Sequence, residues 1–286
     1  VLLESRNILT ESDPERLTWK TLPEGDAGLR TPPGGGPIAE EQSYTVLSDG
    51  SFYSVYRSVD GHPVCAYSRD RGRSWSTPQY LRYDDGRLVK HPRAANFVWR
   101  CSNGRFLYWF HNHGGTGYED RNPVWLCGGI EADGPEGRVL RWSQPEMVLY
   151  DDDTYIRMSY PDLVEEDGSY FLTETQKNIA RVHRVDAERV EMLWDQFHRV
   201  GPVSDHLLLE YRADGKPMPP RVPMPRLPDF IVRDAGRADH GTKDLRNGFT
   251  LECWVRFETL APGQVLLDSR TPAGQGFCLH TTERET

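Results

Sequence analysis

Three short turn signals set the terms on which this chain can fold. Asp49-Gly50, Asn103-Gly104 and Asp167-Gly168 recur at intervals of 54 and 64 residues, each between runs of aromatic and β-branched side chains. Asx-Gly pairs reach the positive φ that a tight hairpin demands, so each marks two antiparallel strands. Val46, Phe52, Ser54 and Tyr56 flank the first turn, and Phe97–Arg100 and Phe106–Phe110 the second. Leu163 and Val164 meet Tyr170, Phe171 and Leu172 across the third. A period near fifty suits propeller blades, four-stranded sheets that bury their faces only against neighbours. Val64–Ser68 and the stretch from Arg141 to Leu149 supply outer strands. About three blades fit between Glu40 and Phe197, so a closed ring would need blades ahead of Val1.

The expected fold class is therefore all-β, with 26 glycines and 21 prolines punctuating short strands. One helix interrupts it. Val190, Leu193, Trp194 and Phe197 form an i, i+3, i+4, i+7 face behind Asp186 as N-cap, and this helix is expected to close the propeller portion, residues 1–200. Residues 201–245 read as a linker, because six prolines between Lys216 and Pro228 disfavour helix and inner strand alike. Leu251, Cys253, Val255 and Phe257 then alternate with Thr250, Glu252, Trp254 and Arg256, the pattern of a half-buried strand opening a second domain over 246–286.

Charge and cysteine content narrow the function. A net charge of −9 and a pI near 5.5 argue against general nucleic-acid binding, which needs clustered Lys and Arg. No apolar run is long enough to span a bilayer as a helix. Cys65, Cys101, Cys127, Cys253 and Cys278 lie far apart with no CxxC pair, which favours free buried thiols over a metal site; no metal or cofactor is expected. The chain opens on Val1 without a signal-type stretch, so any export signal is expected upstream.

Ser68-Arg-Asp70-Arg-Gly72-Arg-Ser74-Trp75 has the Ser-x-Asp-x-Gly-x-Ser/Thr-Trp form of the Asp-box, and Arg141-Trp142-Ser143-Gln144-Pro145 reads as a degenerate second copy without its Asp. The motif is structural: Asp70 caps turn amides, Gly72 takes a left-handed conformation and Trp75 packs beneath. Around it the chain resembles the exo-sialidase (neuraminidase) family. Glu41 to Arg57 is similar to that family's Glu–strand–Asp-Gly–strand–Arg segment, Tyr118 to Leu126 to the strand led by another triad arginine, and Ser159-Tyr160-Pro161-Asp162-Leu163 to the segment holding the nucleophilic tyrosine. The resemblance implies a six-bladed propeller, here partial. It assigns Tyr160 as nucleophile, Glu41 as its base with Glu40 the competing choice, and Arg57 and Arg121 as grips for the substrate carboxylate. Arg93, Arg100, Arg157 and Arg181 compete for the Arg121 role. The acid/base Asp and first triad Arg would come from segments before Val1, which would leave this stretch inactive alone.

Chemistry agrees with that assignment. A sialic acid carries its carboxylate on the anomeric carbon, so a neutral tyrosine attacks where an anionic carboxylate would be repelled. The tyrosine then needs a base, and the substrate anion needs guanidinium forks. The expected partner is a glycan with a terminal acidic sugar, hydrolysed with retention by a secreted or periplasmic enzyme. Trp109, His111, His113 and Glu174 are expected to line the pocket. His111 and His113 share a strand face and open a second reading, a lyase or glycosidase acting on uronic-acid polysaccharide with Tyr160. A third is a non-catalytic glycan-binding propeller. Gly248 to Phe257 with Gly263 to Arg270 resembles the start of a concanavalin A-like, laminin-G-like jelly roll, truncated here.

Overall fold

A computed structural model describes residues 2–199 apart from 26, 27, 116, 118–120, 152, 154 and 155, and residues 257–283 apart from 258, 269, 271 and 275–277. The chain separates into two compact units, the described part of the first being residues 2–199 and that of the second residues 257–283.

The first unit is an all-β partial propeller of three successive antiparallel meanders. A short ribbon, β1 (Leu2–Glu4) with β2 (Lys20–Leu22), precedes them. The first meander runs β3 (Glu40–Val46), β4 (Phe52–Arg57), β5 (Val64–Ser68) and β6 (Gln79–Tyr80). In the second, β7 (Phe97–Arg100), β8 (Phe106–Phe110), β9 (Val124–Gly134) and β10 (Gly137–Trp142) pair in order, and β11 (Glu146–Leu149) also pairs with β9. The third runs β12 (Ser159–Glu166), β13 (Ser169–Gln176) and β14 (Ile179–Val185). All three Asx-Gly turns join the strands expected of them, and at the third Asp167 and Gly168 both take positive φ, 47° and 73°.

Within the middle sheet, β8 has no wet face. Phe106, Tyr108 and Phe110 on one side of β8 pack with Tyr53 and Val55 of the first meander. Leu107 and Trp109 on the other side join Tyr170 and Leu172 of the third, together with Val190, Leu193 and Trp194 of α1 (Ala187–Asp195). A strand with five consecutive buried apolar residues fits only between two layers. The helix forms behind its expected cap, with the Asp186 carboxylate accepting from the Glu188 amide, but it ends at Asp195 and leaves Phe197 in the following turn; the Trp194 indole donates to the Phe106 carbonyl at 2.7 Å.

The Asp70 turn keeps its structural role. Its carboxylate accepts from the Ser74 amide and from the Ser68 and Ser74 hydroxyls at 2.6–2.9 Å, and these donors hold its carboxyl down at about 2. A deeper repeat follows it. Ser76 exchanges two hydrogen bonds with the Tyr67 backbone, and Ser143 does the same with Gly128, so Trp75-Ser-Thr-Pro78 and Trp142-Ser-Gln-Pro145 occupy equivalent places in adjacent meanders. In the second meander the compact turn is replaced by the β9–β10 hairpin, which lies outside the spacing of the three Asx-Gly turns.

In the second unit, β15 (Val265–Asp268) and β16 (Cys278–His280) form an antiparallel pair. The linker over 201–245 and residues 250–256 of the strand expected over 250–257 lie outside the described residues, and Phe257 is in no strand. Among the described residues no helix is long and apolar enough to cross a membrane, no cluster of His, Cys, Asp and Glu has the makings of a metal site, and Cys65, Cys101, Cys127 and Cys278 are free thiols.

Candidate active site

Two backbone irregularities build the site. In a regular strand consecutive side chains point to opposite faces. At the start of β3 the register shifts between Glu40 and Ser43 and Glu41 takes φ 54°, so Glu40 and Glu41 both reach Arg57 at the end of β4. At the start of β12 the register shifts between Ser159 and Asp162 and Tyr160 takes φ 48°, leaving the phenol half-exposed (52%) instead of in the core. A non-glycine residue in this region costs of order 1–3 kcal/mol, and such strain collects at functional sites.

The two irregular residues meet. The Tyr160 hydroxyl donates to Glu41 Oε1 at 2.8 Å across 119 positions of sequence. Glu41 Oε2 lies 2.8 Å from Arg57 Nη1 without hydrogen-bond alignment. Arg57 Nη2 donates to Glu40 Oε2 at 2.7 Å, and Arg93 Nη2 lies 3.5 Å from the same oxygen. Arg121 donates from Nη1 to the Ser159 hydroxyl at 2.7 Å, beside Tyr160 in the chain.

The electrostatics form one coupled group. The hydrogen bond to Glu41 raises the Tyr160 phenol above its ordinary value, burial and the Glu41 charge add to this, and Arg121 and Arg57 oppose it. Burial pulls Arg121 below its usual value against the raising influence of Tyr160 and Glu41. Glu40 is held below the usual carboxylate range chiefly by its hydrogen bond to Arg57. The phenol thus rests protonated, its proton already aimed at a carboxylate, within reach of guanidinium charge.

Four of the expected residues, Tyr160, Glu41, Arg57 and Arg121, therefore converge, and of the two adjacent glutamates it is Glu41 that faces the phenol. Three others are not presented to a ligand. Trp109 is fully buried in the core between the second and third meanders, because β8 is covered on both sides. Glu174 is fully buried on the inner face of β13, where Oε1 accepts from Arg181 and His183 at 2.9 and 3.1 Å. His111 is buried against His91: the rings stack at 5.8 Å, the His111 amide donates to His91 Nδ1, and His111 Nδ1 contacts the Pro123 carbonyl at 3.2 Å. Burial pushes His91 down to about 3 and His111 well below its ordinary value, with Arg121 charge adding to both. His113 is nearly buried and accepts from the Gly115 amide at 3.3 Å.

Sequence reasoning passed over Ser159 and gave Arg93 only as a substitute for Arg121. Arg181, a further substitute, belongs to the Glu174 pair instead. The signal for Trp109 was present: Phe106–Phe110 carries no polar residue on either alternation, which requires two covered faces.

No protein-family model matches the chain, and no curated protein matches it. Among solved structures it is similar to the intramolecular trans-sialidase from Ruminococcus gnavus in complex with oseltamivir carboxylate, at TM-score 0.43 and 18% identity over 61% of this chain and 36% of that one. It is also similar to the NanB sialidase from Streptococcus pneumoniae, at TM-score 0.38 and 18% identity over 52% and 22%, and to GH43B of the xyloglucan locus of Bacteroides ovatus, at 0.35 and 18% over 54% and 30%. The chain spans no more than 36% of the length of any of these three, and its likeness to sialidases and other glycoside hydrolases is distant and partial.

Proposed function

We propose that this chain supplies half of the active site of a retaining glycoside hydrolase of sialidase type, acting on a terminal acidic sugar of a glycan. The observation that carries the reading is the Tyr160–Glu41 hydrogen bond of 2.8 Å, made between two residues at irregular backbone positions and flanked by Arg57 and Arg121. In the forward step Tyr160 Oη bonds to the anomeric carbon while its proton passes to Glu41 Oε1, and the glycosidic C–O bond breaks with the leaving oxygen taking a proton from a general acid. Water then attacks the anomeric carbon, giving its proton to the conjugate base of that general acid, and as the tyrosyl–sugar bond breaks Glu41 returns the proton to the phenolate. General-base transfer suits a phenol whose raised pKa keeps it neutral until attack begins. Arg57 and Arg121 would hold the substrate carboxylate, and the general acid and a third arginine are not assigned to any residue of this chain. Burial of His111 withdraws support from the uronic-acid lyase alternative. The linker at 201–245, the jelly roll at 246–286 and a secreted or periplasmic setting remain part of the proposal.

The test is hydrolysis of a fluorogenic α-sialoside by the full-length polypeptide that carries this sequence. Tyr160→Phe is expected to lower kcat by about a thousandfold or more while sugar binding persists. Undiminished turnover in that variant would falsify the mechanism, and binding by the wild type without any turnover would leave the non-catalytic glycan-binding propeller in its place.

A further inference from the structure

We propose that Glu40 is a built-in competitor for the substrate's carboxylate, and that Arg93 is the positioning residue that draws it off Arg57 when substrate arrives. The inference rests on the reading that Arg57 grips an acidic sugar. Both terminal nitrogens of Arg57 are engaged by protein carboxylates, Nη1 by Glu41 at 2.8 Å and Nη2 by Glu40 at 2.7 Å. An incoming carboxylate that takes both terminal nitrogens as a fork must therefore compete with them. Glu41 also holds the Tyr160 proton, so its removal would disarm the nucleophile. Glu40 makes no contact with the phenol, its side chain is 45% exposed, and its carboxylate already touches a second guanidinium.

The geometry supplies the exit. A single oxygen, Glu40 Oε2, lies 2.7 Å from Arg57 and 3.5 Å from Arg93, so a small rotation trades one partner for the other without stranding the charge. Arg57 Nε and Arg93 Nε are both buried without a hydrogen-bond partner, which leaves donor capacity unspent on both guanidinia. The irregular turn at Glu41 is what aims two adjacent glutamates at one arginine; a regular strand would have sent Glu40 to the other face. Ligands lacking a carboxylate gain nothing from displacing Glu40, so the device acts on anionic ligands alone, and Glu40 offsets the Arg57 charge while the site is empty.

Calorimetry with free sialic acid, and an uncharged hexose as control, on the wild type, Glu40→Gln, Arg93→Met and the double variant tests this. Glu40→Gln is expected to tighten acidic-sugar binding by about two- to fivefold, the range of a partly exposed ion pair. Arg93→Met is expected to weaken it in the wild-type background and to change nothing in the Glu40→Gln background, a dependence that a merely structural role for Arg93 would not produce. Equal or weaker binding by Glu40→Gln beside a wild type that binds overturns the competitor alone. Weakening by Arg93→Met in both backgrounds makes Arg93 a direct ligand contact and overturns its role as receiver. Absence of acidic-sugar binding in all four proteins removes the acidic-sugar reading and the inference with it. If Glu40→Gln fails to fold, Glu40→Ala takes its place alone and in the double variant, with the same outcomes expected and the same outcomes overturning the device.

Discussion

The paired rings of His91 and His111 illustrate how burial decides protonation. His91 receives the His111 amide on Nδ1 and contacts the Ala94 carbonyl through Nε2 at 2.8 Å, which fixes a neutral tautomer with Nε2 donating. With the folded pKa pushed down to about 3 and the unfolded value near 6.5, only the unfolded chain takes up a proton between those limits. Stability is therefore complete above about pH 6.5 and is lost as pH falls below it, by about 2 kcal/mol at pH 5 for His91, and His111 acts in the same direction. Urea unfolding midpoints at pH 7 and pH 5 check this, and His91→Asn is expected to flatten the slope by about one proton. A slope unchanged in that variant would locate the acid sensitivity elsewhere. At this scale the sequence was informative about type and blind to depth: His111 and His113 announce polar chemistry, yet only the covered face of β8 explains why the first is sealed away.

At the level of single elements, the Ser68–Trp75 turn and the β9–β10 hairpin solve one problem twice, joining the third strand of a meander to its fourth. The compact version depends on Asp70, whose carboxylate holds three donors, and on Gly72, which sits at φ +87°. A Cβ at Gly72 would also come within 3.0 Å of Leu2. Asp70→Ala is expected to cost about 1–2 kcal/mol by stranding those donors, and Gly72→Ala about 1 kcal/mol or more from its backbone conformation. Thermal unfolding reads both, and neither is expected to alter acidic-sugar affinity; a loss of affinity at equal stability would contradict the purely structural role. Turn chemistry made this element and the three Asx-Gly hairpins legible in the sequence. The β9–β10 hairpin carries an Asx-Gly pair too, Asp133-Gly134, but it lies inside the paired strand ahead of the Pro135-Glu136 turn, it falls outside the spacing of the other three, and its strands mix charged and apolar residues without a clean alternation.

Across the described part of the first unit, the two cores share β8, so the meanders cannot melt independently. Leu47 belongs to the core between the first and second meanders and Leu172 to that between the second and third. Leu47→Ala and Leu172→Ala are each expected to cost about 2–5 kcal/mol and to shift the same single unfolding transition. Two separable transitions, each moved by one variant, would refute the coupling. The order of meanders was readable from turn spacing, and the pairing of Glu41 with Tyr160 from the resemblance of short segments. The lateral stacking was not, because nothing in a strand's own residues says which distant sheet will cover it. The glycine pair Gly128-Gly129 shows what that stacking demands. A side chain on Gly128 would strike Trp194 and Leu193, and one on Gly129 the Trp142 ring, at 2.5–2.9 Å. Two successive positions of one strand thus carry a size ceiling imposed from opposite directions. A methyl group on the first would push against the helix, and one on the second would wedge Trp142 out of its place, so this dipeptide gauges how closely α1 and the Trp142 ring can approach β9.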